Sequence, residues 1–281
     1  MRTIEFIQIV DTVAELCIEA SCILPDDVNK ALKDSCDNES SPLATSILKD
    51  CILNAEISKN EMMPICQDTG FAVFFVELGQ DLKINGGDIY QAIQDGTAKG
   101  YKKGFLRMSI VKDPIFDRMN TKNNTPAIIY LKLVEGEQIK ITLAPKGGGS
   151  ENMSSIAMLK PSDGRAGVVD FVVNSVINAG GNPCPPVIVG VGIGGTFENA
   201  AFLAKKSLLR TIGNRNNNHH YATLELEILE KINASGVGPQ GLGGDITALD
   251  VHIEYFPCHI ASLPVAVNLN CHAARHKTII L

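Results

Sequence analysis

The chain has 281 residues, 45% of them hydrophobic and 20% charged, values that exclude a disordered or coiled-coil protein and allow one large domain or two lobes. A net charge of -6 and a pI near 5.5 argue against nucleic acid as the main partner. Hydrophobic runs are short and broken by charge, and the N-terminus carries Glu5, Asp11 and Glu15 rather than a secretory pattern, so no membrane and a cytoplasmic location are expected.

Ile4, Ile7, Val10, Val13 and Cys17 recur at helical spacing, and residues 3–60 read as helical. Within them Ser41-Pro42 predicts an N-cap followed by proline at the first helical position, opening a helix toward Ile57. Phe71 to Leu78 predicts a buried strand and Asp88 to Lys103 a helix. Ala127 to Val134 and Gln138 to Ala144, joined through Glu135-Gly136-Glu137, predict a β-hairpin. A helix over Arg165 to Ala179, a short buried strand over Val187 to Val191, a glycine turn and a helix from Thr196 to about Leu209 follow. The polar run Gly213 to His220 reads as an exposed loop, Tyr221 to Ala234 as a helix, and Ile246 to Phe256 and Leu263 to Leu269 as strands. Helices come first and the remainder mixes strands with helices, which predicts an α+β fold, a single catalytic domain over 1–281 with mixed or antiparallel sheets and no repeats.

Eight cysteines without any Cys-x-x-Cys pair point to thiols rather than disulfides, zinc ribbons or thioredoxin-like motifs. Cys17, Cys22, Cys36 and Cys51 fall in helical segments and read as small buried apolar groups. Cys66, Cys184 and Cys271 each sit in a loop context beside glycine, proline or polar residues. The densest chemistry is Ile65-Cys66-Gln67-Asp68-Thr69-Gly70, which places a thiol, an amide, a carboxylate and a hydroxyl on successive residues at the mouth of a strand. A packed core has no use for that, so the segment reads as a site. Its thiol can hold a soft metal or act as a nucleophile, and its carboxylate can orient a substrate or move a proton.

Two glycine signals need weighing. Gly190-Val191-Gly192-Ile193-Gly194-Gly195 satisfies the dinucleotide fingerprint between a strand and a helix. No acidic residue ends a strand about twenty residues on, and Arg210 and Arg215 occupy that region, so a tight strand-to-helix turn is favoured; a helix N-terminus facing an anion is a third reading. Lys146-Gly147-Gly148-Gly149-Ser150 is either a flexible loop or a concave run of N–H groups able to hold a carboxylate.

Taken in order, Cys66-Gln67-Asp68-Thr69-Gly70, Leu106-Arg107, the Lys146 to Asn152 loop, Asn182-Pro183-Cys184-Pro185-Pro186, Gly192 to Gly195, Gly238-Pro239-Gln240-Gly241 and Asn270-Cys271-His272-Ala273-Ala274-Arg275 resemble the iron-sulfur hydro-lyases comprising class I fumarases and L-tartrate dehydratases, in the alpha-subunit form. The resemblance covers nearly the whole chain. It implies that Cys66, Cys184 and Cys271 hold a [4Fe-4S] cluster with one iron left open as a Lewis acid. Their separations of 118 and 87 residues would not by themselves have indicated this. It further implies substrate contacts from Gln67, Asp68, Arg107 and Gly148, a proton-transfer or orienting role for Asp68, and an active-site role for His259. Single-chain relatives continue with a further domain, and this chain stops ten residues after Cys271, so a separate beta subunit and a higher-order hetero-oligomer are expected. Fumarate hydration to L-malate is the activity the glycine-rich and Cys271 motifs suggest, with L-tartrate dehydration to oxaloacetate as the alternative.

Overall fold

The computed structural model describes residues 2–281. In chain order the elements are β1 (Arg2–Glu5), α1 (Phe6–Cys22), α2 (Asp26–Asn38), α3 (Pro42–Glu61), β2 (Phe71–Gly79), β3 (Leu82–Asn85), α4 (Ile89–Lys103), β4 (Ile128–Val134), β5 (Ile139–Lys146), the short α5 (Gly148–Glu151), β6 (Ser155–Leu159), α6 (Gly164–Ala179), β7 (Val187–Gly194), α7 (Phe197–Ser207), α8 (His219–Asn233), β8 (Ala248–Phe256), β9 (Leu263–Asn270) and β10 (Lys277–Ile280). Mixed helices and open mixed sheets make this an α+β chain. It divides into two compact units, one of Met1–Pro25, Ala55–Gly148 and Arg275–Leu281, the other of Asp26–Asn54 and Gly149–Ala274.

The first unit is built on a sheet of order β10-β5-β2-β4. The expected hairpin between β4 and β5 does not form: β2 lies between them, parallel to β4 and antiparallel to β5. The reason is burial. Phe71 to Val76 is the most apolar strand of this unit, and the centre of the sheet lets Ala72, Val73, Phe74 and Val76 bury together. The 135–138 connection therefore passes over the end of β2, so closely that a Cβ on Gly79 would stand 2.3 Å from the Gly136 carbonyl oxygen. Helices α1 and α4 cover the sheet with Ile9, Val13 and Ile93 against Phe74, Ile141 and Leu143. The Asp88 side chain opens α4 by accepting from the Tyr90 and Gln91 N–H groups. Residues 3–5, read from sequence as the start of the helical segment, belong instead to β1, a strand paired in parallel with β3, where Ile4 is buried.

In the second unit the sheet order is β6-β9-β7-β8, with β7 parallel to β8 and antiparallel to β9. Every residue of β7 is buried because both of its faces are covered. Val187, Val189, Val191 and Ile193 meet Val172 and Val176 of α6 and Ile228 and Ile232 of α8. The other face meets α7, and here the glycine fingerprint finds its explanation. Gly190 and Gly192 lie inside the strand, not in a turn after it, and Cβ atoms on them would stand 2.2 and 2.0 Å from the carbonyl oxygens of Ala204 and Ala200. The glycines let a helix backbone rest on a strand backbone.

Both sheets follow one plan that no sequence repeat announces. A buried central strand is flanked by the next parallel strand and then by an antiparallel one, and the connection between those two crosses the central strand's end. Gly194 repeats the part played by Gly79, since a Cβ on it would stand 2.0 Å from the Phe256 carbonyl oxygen.

Candidate functional site

In each unit the chemistry sits where the chain enters the central strand and where it leaves the antiparallel neighbour. In the first unit these places are Cys66 to Gly70, before β2, and Gly147-Gly148, after β5. Their meeting requires glycine. Gly70 has φ +70°, and a Cβ on it would stand 2.3 Å from the Lys146 carbonyl oxygen. The approach lets Gly148 N–H donate to Asp68 Oδ2 at 2.7 Å while Gly70 N–H donates to Oδ1 at 2.9 Å. From the triple glycine, Gly148 supplies one N–H to a carboxylate, and that carboxylate is the protein's own.

The rest of the turn is equally constrained. Asp68 N–H points to Cys66 Sγ at 3.4 Å, and the Asp68 carbonyl accepts from Arg275 Nη2 at 2.9 Å. The Tyr101 hydroxyl donates to the carbonyls of Thr69 (2.9 Å) and Gly70 (3.1 Å), and Asn124 Nδ2 adds a bond to Gly70 at 3.0 Å. Burial, against partly compensating charge from Arg275, pushes the Tyr101 hydroxyl far up, so it stays a donor. Thr69 Oγ1 donates to the Arg107 carbonyl at 3.0 Å, tying the arginine's backbone to the turn while its side chain remains exposed. Gln67 is exposed beside Cys66, with Oε1 3.4 Å from Sγ. The structure thus brings Cys66, Gln67, Asp68, Gly148 and the Arg107 backbone into one network. Sequence reading had missed Tyr101 and Asn124 in it, and no motif marks either.

In the second unit the corresponding places hold Cys184, before β7, and Cys271, after β9. Cys184 is exposed at φ +56°, a conformation that costs an L-residue about 1–2 kcal/mol and is kept where surroundings impose it. Here the surroundings are clear. The Cys184 carbonyl faces His272 N–H (3.3 Å) and Nδ1 (3.1 Å), and Gln240 donates its backbone N–H and its Nε2 to the Pro185 carbonyl, both at 2.8 Å. Gln240 Nε2 also lies 3.1 Å from His272 Nδ1. His272, to which sequence reading gave no role, clamps the two cysteine loops together. Burial, and then the neighbouring acidic groups Asp50, Cys184 and Cys271, push the buried Cys51 thiol up to about 11.

His259 is not at this end. It lies in the connection between β8 and β9, beyond the Gly194–Phe256 pairing, whereas the cysteines flank the Ile188–Asn270 pairing. Six residues of β7 separate the two ends, roughly 20 Å of strand. His259 instead lines a cavity of about 680 Å³ with His220, Tyr221, Cys258 and Ser262. Among the described residues no three His, Cys, Asp or Glu side chains converge as a metal ion would require. No helix among them is long and apolar enough to cross a membrane.

Known proteins resemble the chain along nearly all of its length. The family model described as fumarate hydratase (Fumerase) matches residues 10–280. A Methanocaldococcus jannaschii protein provisionally named L(+)-tartrate dehydratase subunit alpha is 45% identical over 95% of each chain. Proteins named L(+)-tartrate dehydratase subunit alpha from Escherichia coli O157:H7 and strain K12 are 36% and 35% identical, each aligned over 98% of this chain and 91% of their own. With the match spanning both sheets and both sets of cysteine loops, the chain belongs to the fumarate hydratase (fumerase) family of hydro-lyases.

Proposed function

We propose that this chain is the alpha subunit of an iron-sulfur hydro-lyase that removes water from a four-carbon hydroxy-dicarboxylate, with L-tartrate, giving oxaloacetate, as the substrate favoured. The family membership supports water elimination, and the names of the relatives move the preference from fumarate, which the sequence motifs suggested, to tartrate. The observation that carries the reading is the Cys66–Gly70 turn, where a thiol and a carboxylate that accepts two backbone N–H groups are held two residues apart.

The residues fit a cluster. Cys184 is exposed, Cys66 and Cys271 are partly exposed, and thiolates are the ligands such clusters take. In this reading Cys66, Cys184 and Cys271 hold a [4Fe-4S] cluster, which when bound supplies a Lewis acid for hydroxyl and carboxylate oxygens. Exposed Arg107 suits a two-pronged contact with a substrate carboxylate, and exposed Gln67 offers an amide beside it. Asp68, with one lone pair of each oxygen already occupied, keeps the others for orienting the leaving hydroxyl or taking its neighbour's proton. Gly148 acts through Asp68 rather than directly on substrate. His259 of the same chain is left out of this assignment, because the sheet carries it to the far end from Cys184 and Cys271. The relatives' names as alpha subunits support a separate beta subunit that completes the site.

The test is anoxic co-expression with the beta subunit, iron and sulfide analysis, and turnover of L-tartrate and fumarate. Cys66→Ser, Cys184→Ser and Cys271→Ser should each abolish turnover and lower iron and sulfide. Wild-type turnover from a serine variant, or iron-free protein with full activity, would end the proposal.

A further inference from the structure

Arg275 is 3% exposed, yet among the described residues one of its three guanidinium nitrogens finds a hydrogen-bond partner. Nη2 donates to the Asp68 carbonyl at 2.9 Å, while Nε and Nη1, both shut off from solvent, meet no acceptor among the described residues. A buried cation with unfilled donors is costly, and a fold that keeps one has a counter-charge to meet. The groups it polarises are no such partner: Tyr101 spends its hydroxyl proton on two carbonyls, and the thiol of Cys22 is raised by burial despite the arginine's pull. The Asp68 carboxylate faces the Gly70 and Gly148 N–H groups, and Arg275 meets Asp68 through the backbone carbonyl instead. Missing, therefore, is negative charge on the turn to which Nη2 is anchored. That turn carries Cys66, and in the chain Arg275 follows Cys271 by four residues.

We propose that Arg275 is a positioning residue whose two free donors meet the negative charge that thiolate-held cluster brings to the Cys66 turn, so that it favours cluster retention at the expense of the empty chain's stability. This rests on the cluster reading given above. Hydrogen bonds and positive charge beside cluster sulfurs are known levers on retention and potential. An arginine that merely anchored the Asp68 carbonyl would stabilise empty and loaded chains alike.

The experiment compares wild type with Arg275→Met and Arg275→Lys, each in the assembled enzyme, with and without cluster. Arg275→Met removes the charge and keeps the length. Its empty form loses the Asp68 carbonyl bond but also sheds a half-paired buried charge, so its melting temperature should fall less than that of the loaded form. Loaded and passed through anoxic desalting, it should lose iron and sulfide on the order of tenfold faster, and the cluster it retains should titrate at a more negative potential. Arg275→Lys restores charge without the fork and should recover part of the retention and of the potential, which a purely structural defect would not do. The proposal is overturned if Arg275→Met lowers the melting temperature of the empty form as much as that of the loaded form, if it retains iron and sulfide at the wild-type rate, or if Arg275→Lys matches Arg275→Met in both retention and potential. Should wild type itself assemble no cluster, the cluster reading fails first and takes this inference with it, a result told apart by appearing before any variant is compared.

Discussion

Removing a single oxygen, in Tyr101→Phe, tests whether the stiffness of the Cys66–Gly70 turn matters to turnover. The ring is 1% exposed and packs in the core beneath α1, so phenylalanine fills the same space and leaves no cavity. Of the two carbonyls that lose a donor, Gly70 keeps Asn124 Nδ2 at 3.0 Å, while Thr69 is left with none of the described donors. One orphaned buried carbonyl costs about 1–3 kcal/mol. At about 2–4 °C per kcal/mol for a chain near this size, the melting temperature should fall on the order of 5 °C. Activity should fall further than stability explains. The carbonyls released flank the Gly70 N–H that holds Asp68, and a misplacement of about 1 Å costs roughly 100-fold in rate. The assay is thermal unfolding beside steady-state turnover of the assembled enzyme, with iron content as a control. The rate defect should not change with pH, because burial keeps the tyrosine hydroxyl protonated. A lowered melting temperature with unchanged kcat would refute the link between turn rigidity and catalysis, and an unchanged melting temperature would refute the hydrogen bonds themselves.

Gly192→Ala puts a methyl group 2.0 Å from the Ala200 carbonyl oxygen and 2.6 Å from the Ala204 nitrogen, both helix backbone, so it should cost more than the roughly 1–3 kcal/mol of ordinary overpacking. Calorimetry reads that loss, while stoichiometric binding of a nicotinamide dinucleotide by wild type would restore the phosphate-binding reading of these glycines. Cys184→Gly relieves the positive φ of +56°, so the cluster-free variant should be at least as stable to denaturant as Cys184→Ser although neither turns over; a less stable glycine variant would show that the loop stores no strain. Buried Asp250 loses by burial but gains more from the His252 hydrogen bond and charge, the Gly213 N–H and Arg215, and the sum holds its carboxyl below the usual range. A depressed carboxyl stabilises above its unfolded value of about 3.9 and ceases to do so as pH falls through its folded value. Asp250→Asn should therefore flatten the acid-unfolding curve below about pH 4, and an unchanged curve would count against the ion pair.

Local chemistry was legible in the sequence and distant partnership was not. Alternation and period marked nearly every long element, and the crowding of thiol, amide, carboxylate and hydroxyl marked the Cys66 turn. The hairpin between β4 and β5 was misread because turn residues report that a chain reverses, not whether a more apolar strand from 50 residues earlier claims the space between. The glycine fingerprint failed for a related reason: the same absence of Cβ admits a phosphate or a helix backbone, and only the position of α7 decides. Tyr101, Asn124 and Arg275 hold the turn from 32, 54 and 207 residues away, with ordinary side chains whose role lies entirely in where the fold delivers them. The exposed Gly213 to His220 loop of the sequence reading is partly drawn in, since Arg215 pairs with buried Asp250 at 2.6 Å and Asn216 N–H reaches buried Glu225 at 3.0 Å.

Choosing between tartrate and malate depends on an asymmetry in what a polar site can reject. Both diacids present two carboxylates and a leaving hydroxyl, so in the proposed assignment the Cys66 turn and Arg107 would meet shared atoms, and tartrate adds only a second hydroxyl. A site that hydrogen-bonds this second hydroxyl leaves its own polar groups unpaired when malate binds, and such sites reject the lacking analogue by about 10⁴–10⁵. A site shaped for malate, meeting an added hydroxyl with apolar walls, rejects tartrate by only about 10². Dehydration of the two, compared as kcat/KM in the assembled enzyme, should therefore favour tartrate by at least about 10⁴ if the relatives' names describe this chain's chemistry too. A preference for malate by about 10² would return the proposal to the fumarate side of the family, while leaving the proposed cluster, the held Asp68 and the Arg275 bond to its carbonyl untouched.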